Sequence, residues 1–173
     1  MINNKQKIII FEGADKSAKS TIAQELSNMI NVPYFKFKVW DYFKDNKFKN
    51  ATYFDQPYIL EFLKQTGYSV IIDRGYPSEY VYAQVFDRDF DRNFLEKLDI
   101  EFSKLNTTII ICFKKNNKEK DEIIPQDKYE KIIEKYLDFS LKTRCKVIIL
   151  DTSSMDIKTQ LLFLMGHLYN KEE

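Results

Sequence analysis

The stretch Gly13-Ala14-Asp15-Lys16-Ser17-Ala18-Lys19-Ser20-Thr21 follows the spacing G-x-x-x-x-[G]-K-S, with alanine in the place of the second glycine. Residues in this order suit the binding of a phosphate chain. A tight loop turns backbone N–H groups inward around phosphate oxygens, and a following helix adds the positive end of its dipole. Lys19 then neutralises the β and γ charge, and the Ser20 hydroxyl ligates Mg²⁺. A second constellation stands at Asp73-Arg74, followed by Gly75-Tyr76-Pro77-Ser78 and, further on, Val81-Tyr82. An arginine can fork onto two phosphate oxygens, and a carboxylate beside it can orient Mg²⁺ water or accept a proton.

Both constellations need elements that bring them together. Four short runs rich in β-branched residues read as strands: Lys7 to Glu12, Tyr68 to Asp73, Thr107 to Phe113 and Lys146 to Asp151. They are nearly continuous rather than alternating, the pattern of strands buried on both faces of a parallel sheet. Tyr34 to Trp40 alternates apolar residues with lysine and reads as an edge strand. Helical stripes run through Ile22, Ala23, Leu26, Met29 and Ile30, through Tyr129, Ile132, Ile133, Tyr136 and Leu137, and through Ile157, Leu161, Leu162, Met165 and Leu168. The Asp127 to Glu130 spacing after Pro125 predicts a capping box for the second of these. Weaker helical patterns cover Pro57 to Gln65, Ser78 to Phe86 and Asn93 to Leu105. Strand and helix alternate, so the fold class is α/β, a parallel sheet with right-handed crossovers. In such a sheet the carboxyl ends of adjacent strands converge on one crevice, which places Asp73 and Arg74 opposite the phosphate loop.

Composition narrows the remaining choices. With 173 residues the chain reads as one domain, residues 1–173, and its 27 Lys plus Arg against 26 Asp plus Glu leave no broad basic field for a nucleic-acid polymer or a membrane surface. Two cysteines, Cys112 and Cys145, in apolar surroundings suit a reduced, cytoplasmic protein with buried thiols. A single histidine, His167, rules out histidine triads and His-Cys zinc sites. Apolar runs are too short for a membrane span, and the N-terminus lacks a signal-peptide pattern. The charged stretch from Lys114 to Glu122 suits a solvated loop or a short flap around 114–126.

On these residues the chain resembles the thymidylate kinases, within the P-loop nucleoside monophosphate kinases. Phe11 to Thr21 is similar to the family's F-E-G-L-D-R-S-G-K-S-T, Asp73-Arg74 with Ser78 to its D-R-x-x-x-S, and Val81-Tyr82 to the Ala-Tyr that follows. The resemblance implies a three-layer P-loop kinase fold whose five parallel strands run in the order 2-3-1-4-5 with helices on both faces. It implies ATP as phosphoryl donor, Mg²⁺, and a deoxypyrimidine 5′-monophosphate, dTMP or a close relative, as acceptor. By carry-over, Gly13 through Thr21 (Gly13, Ala14, Asp15, Lys16, Ser17, Ala18, Lys19, Ser20, Thr21) would bind the donor phosphates, with Asp15 also touching the acceptor sugar. Lys16, Lys19, Asp73 and Arg74 would be catalytic, and Ser20 and Asp73 would hold the metal. Lys38, Phe54, Arg74, Ser78 and Tyr82 would line the acceptor side, with Tyr53 as an alternative to Phe54. A homodimer through helices flanking the third strand is also implied.

The departures are Ala18, Lys36 and Lys38 where the family often has an arginine, and a flap carrying lysines (Lys114, Lys115, Lys118, Lys120) rather than arginines. Two other readings stay open: a deoxynucleoside kinase, with Asp41 as general base for a 5′-hydroxyl, and a nucleotide-binding protein without turnover. The Lys, Asn, Ile and Phe bias suits an AT-rich genome and, at this length, a virus-encoded protein acting in the host cytoplasm.

Overall fold

In a computed structural model of the chain, residues 6–36, 51–114 and 124–169 are described. Five strands, β1 (Ile8–Gly13), β2 (Tyr34–Lys36), β3 (Val70–Asp73), β4 (Thr107–Phe113) and β5 (Lys146–Asp151), form one parallel sheet in the order β2-β3-β1-β4-β5. That order and the parallel pairing agree with the expected P-loop kinase arrangement. Among the described residues six helices accompany them: α1 (Lys19–Ile30), α2 (Ala51–Thr66), α3 (Tyr76–Val85), α4 (Arg92–Ser103), α5 (Gln126–Ser140) and α6 (Ile157–Tyr169).

Side chains of a strand alternate between faces, and here the alternation separates two cores. Ile8, Ile10, Val70, Ile72, Ile109 and Ile111 pack against α2, α3, α4 and α5. Ile9, Phe11, Ile71, Ile110 and Cys112 face the other way, onto Ile22 and Leu26 of α1 and Leu161 and Leu164 of α6. The central strands are apolar on both faces because both are covered, which is why their sequences run without alternation. β5 differs from that expectation. It is the sheet's second edge, and Ile149 is 43% exposed; a β-branched run does not by itself distinguish an interior strand from an edge covered on one side.

Helix starts also depart from the sequence reading. α5 begins at Gln126 with Pro125 as N-cap and no side-chain cap, so the Asp127/Glu130 capping box does not form. Proline already removes one of the unpaired N–H groups of that first turn, and Asp127 lies inside it, where its charge still favours the positive helix end. α2 begins at Ala51 and carries Pro57 inside it, at the loss of one backbone hydrogen bond, rather than starting there. The expected β2 extension to Trp40, Asp41, and most of the 114–126 flap lie outside the described residues. Cys112 and Cys145 are free and buried. His167 is exposed near the end of α6, its Nδ1 2.9 Å from the Phe163 carbonyl. Among the described residues no helix is long and apolar enough to cross a membrane.

Gly13 closes β1 at φ +134°, and a Cβ there would lie 2.0 Å from the carbonyl oxygen of Cys112 on β4. No side chain fits between two paired backbones at that distance. Gly13→Ala is expected to destabilise the fold by about 3 kcal/mol or more, a fall in melting temperature of roughly 10 °C. A thermal melt with an unchanged midpoint would contradict the packing described.

Candidate active site

The loop from Ala14 to Ala18 leaves β1 and enters α1 with no side-chain cap on the helix. The first N–H groups of α1 therefore stay open toward an anion, and the helix dipole points the same way. Lys16 and Ala18 both take positive φ, 60° and 58°. Left-handed residues alternating with residues of negative φ turn successive N–H groups toward one concave side, the shape that receives phosphate oxygens. Ser17 is fully buried, and its hydroxyl has no hydrogen-bond partner among the described residues.

Ala18 departs from the G-x-x-x-x-G-K-S spacing in residue type, and its backbone is left-handed. The left-handed geometry that a glycine adopts freely is kept by an alanine, whose Cβ crowds the following carbonyl by roughly 1 to 2 kcal/mol. Ala18 is exposed, so nothing packs on the methyl in return. Ala18→Gly is expected to raise stability by about 1 kcal/mol, or roughly 2–4 °C in melting temperature. ATP affinity should stay within about twofold, since the strain is present before binding as well as after. A lower melting point would show that the methyl stabilises the loop.

Lys19 opens α1 and is 6% exposed. Its Nζ donates to the Ala14 carbonyl at 3.2 Å and stands 3.6 Å from Asp15 Oδ1. Burial, helped by the charge of Arg74, pulls the ammonium pKa down, against the opposing pull of Asp15, Asp73 and Glu12. A cation held partly desolvated in this way gains most from an incoming anion. Lys16 and Thr21, also expected at the loop, are exposed.

The register of the sheet brings the second constellation alongside. Asp73 is paired with Phe11, and the Arg74 N–H donates to the Phe11 carbonyl at 2.9 Å. Asp73 is 1% exposed, and its Oδ2 accepts from Ser20 Oγ at 2.5 Å and from the Tyr34 hydroxyl at 2.8 Å. Burial alone would raise its pKa. The hydrogen bonds from Ser20 and Tyr34 and the charges of Lys19 and Lys36 prevail and hold it below the ordinary carboxylate value. Oδ1 of the same carboxylate is buried with no partner among the described residues.

That orphaned oxygen beside a serine hydroxyl tests whether Mg²⁺ fits. Among the described residues no group of three or more His, Cys, Asp or Glu gathers as a closed metal cage. Mg²⁺ typically takes one or two protein oxygens and completes its octahedron with phosphates and water. Ser20 and Asp73 could hold it on those terms.

Arg74 stands at φ 72°, a strained backbone position for a residue with a side chain. Its guanidinium is forked between the two constellations: NH2 donates to Asp15 Oδ1 at 2.5 Å and NH1 to Ser78 Oγ at 3.2 Å, with the Tyr82 ring 5.2 Å away. Behind it lies Glu12, fully buried, which sequence reasoning passed over although it stands inside the loop motif. It accepts from the Gly75 N–H at 2.7 Å, from Ser78 Oγ at 2.6 Å and from the Tyr136 hydroxyl of α5 at 2.9 Å. Burial raises its pKa, while Arg74 and these donors oppose the rise. An acid closing an otherwise apolar strand was the available signal, because a buried carboxylate must find donors. Tyr136 likewise reads as part of a stripe, yet its buried hydroxyl needs a partner.

Loop, Asp73, Arg74 and Ser78 are therefore brought together as expected. Tyr82 lies beside Arg74 with its hydroxyl buried and unpartnered among the described residues. Gln84 donates to the Tyr80 carbonyl of its own helix. Lys38 and the side chains of Tyr53 and Phe54 lie outside the described residues.

No protein-family profile matches the chain, and no curated protein sequence matches it. Solved structures do. The YorR protein of Bacillus subtilis, solved in complex with phosphorylated GDP, superposes with a TM-score of 0.66 at 22% identity over 95% of this chain and 99% of that one. Thymidylate kinase from Candida albicans gives 0.63 at 19% identity, over 94% and 92% of the two chains. Deoxyadenosine kinase from M. mycoides, with the products dCMP and dCDP bound, gives 0.59 at 21% identity, over 94% and 98%. Likeness at this level of identity establishes a shared fold.

Proposed function

We propose that this chain is a nucleotide kinase that moves the γ-phosphoryl group of ATP onto the 5′-phosphate of a deoxypyrimidine monophosphate, dTMP or a close relative. The observation that carries the reading is Arg74, held between Asp15 of the phosphate loop and Ser78 of α3. A guanidinium so placed can bridge donor and acceptor phosphates. Phosphoryl transfer asks little covalent help of a protein and mostly needs positioning and neutralisation of the equatorial oxygens. The loop N–H groups and Lys19 would bind the donor phosphates, and Lys16, exposed at the loop's crest, would reach the group in transit. Ser20 and Asp73 would hold Mg²⁺, which supplies charge neutralisation across the phosphates. Gly13 gives the backbone its close approach, and Asp15 fixes Arg74 while facing the acceptor sugar.

The neighbours include a thymidylate kinase and a deoxyadenosine kinase, so the acceptor must be argued from this chain. A nucleoside acceptor needs a general base for its hydroxyl; a phosphate acceptor is already nucleophilic. Among the described residues, Glu12, Asp15 and Asp73 stand at the loop and Asp151 at the end of β5, and each is engaged by donors or cations. That favours the monophosphate. The same reading takes residues 1–173 as one kinase domain acting in the cytoplasm.

Release of ADP, measured in a coupled assay over a panel of nucleosides and their monophosphates, tests the reading. Turnover is expected with pyrimidine deoxynucleoside monophosphates and absent with nucleosides. Turnover of nucleosides alone would establish the nucleoside kinase instead, and ATP binding without turnover on any acceptor would establish a binding protein.

A further inference from the structure

Lys36 ends β2 with its ammonium on the two groups that the proposed function gives to the metal. Its Nζ is 2.9 Å from Ser20 Oγ and 3.4 Å from Asp73 Oδ2, and those two oxygens are themselves 2.5 Å apart. We propose that Lys36 is a tethered competitor of the metal: its ammonium occupies the Ser20–Asp73 cation position in the nucleotide-free protein and gives way when a divalent cation arrives with the nucleotide. The inference rests on the reading of Ser20 and Asp73 as metal-holding residues.

Three features carry it. Asp73 is fixed: it is 1% exposed, ends a strand paired on both sides, and is pinned by the Tyr34 hydroxyl. Lys36 is not fixed to the same degree. Its side chain is 53% exposed on a long aliphatic stem, so the ammonium can leave into water without breaking a packed core. Charge balance then decides the order of events. The Asp73 carboxylate is already acted on by two cations, Lys19 and Lys36. A divalent cation therefore meets a carboxylate that is already compensated, and its entry beside an ammonium is repulsive unless that ammonium moves out. While it stays, Lys36 keeps a buried carboxylate from standing uncompensated, which such groups tolerate poorly. Lysine suits the task better than arginine would, because a point charge on a flexible stem holds no bidentate grip to be broken.

The test measures Mn²⁺ binding to the full chain, saturated with ADP, by the electron paramagnetic resonance signal of free Mn²⁺, alongside circular-dichroism melts. Lys36→Met keeps the stem and removes the charge, and Lys36→Gln is a second variant should methionine disturb the strand end. Either is expected to tighten Mn²⁺ binding about tenfold relative to wild type. Equal or weaker Mn²⁺ binding in folded variants of both kinds would overturn the proposal and leave Lys36 as a strand-end ion pair. Asp73→Asn, run in parallel, is expected to weaken Mn²⁺ binding at least about tenfold. Undiminished binding there would remove the metal assignment itself, and the proposal with it, so the two failures are told apart.

Discussion

Lys19→Ala is expected to lower kcat/KM for ADP release by about 10³-fold or more, the scale on which a preorganised electrostatic donor to a transferring group acts. The fold should survive. Lys19 is almost fully buried and its ammonium pKa is pulled down chiefly by that burial, so its charge is tolerated at the site rather than needed by the core. Its removal leaves Asp15 with Arg74 at 2.5 Å, so no carboxylate is left unpaired. A melting temperature equal to or above that of wild type, together with lost turnover, is the expected pair of results. Unaltered rates in the variant would refute the phosphate-loop assignment, whatever the melt shows.

Arg74→Ala should reduce kcat by about 10³-fold with a smaller change in KM, because a group bridging donor and acceptor acts most when charge spreads over the moving phosphoryl. Arg74→Lys should recover little, since lysine cannot hold Asp15 and Ser78 at once. Single-turnover rates with the preferred monophosphate separate the two parameters. If instead only the melting temperature falls and kcat holds, Arg74 is a structural tie between the loop and α3. The strained φ of 72° argues against that outcome, because purely structural ties are rarely kept on a backbone that must be forced.

Much of this arrangement was legible because it depends on local rules. Runs of six or seven residues rich in β-branched types announced the strands, and the glycine–lysine–serine spacing after the first of them announced the loop. Arg74 and Asp73 could be placed opposite that loop from the geometry of parallel sheets alone. What escaped depends on distant partners. Glu12 meets Tyr136 across 124 residues and Ser78 across 66, separations at which no periodicity links them. Tyr34 looked like one apolar position of an alternating edge strand, whereas its hydroxyl is what holds Asp73. The φ of Ala18 was equally hidden: the residue type favours the right-handed region, and only the loop around it imposes the other hand. The α5 capping box failed for a local reason, Pro125 having taken the cap position two residues before Asp127.

The burial of Cys112 beneath α1 and α6 has a kinetic meaning. Cys112 is wholly buried beneath α1 and α6, and burial pushes its thiol up to about 12, so an alkylating reagent can reach it as a thiolate only when that helical cover lifts from the sheet. That lifting also displaces α1, the helix into which the phosphate loop runs. Labelling of Cys112 and loss of nucleotide binding are thus two readings of one opening event. The protein carries in that thiol a built-in clock for how often its loop comes apart.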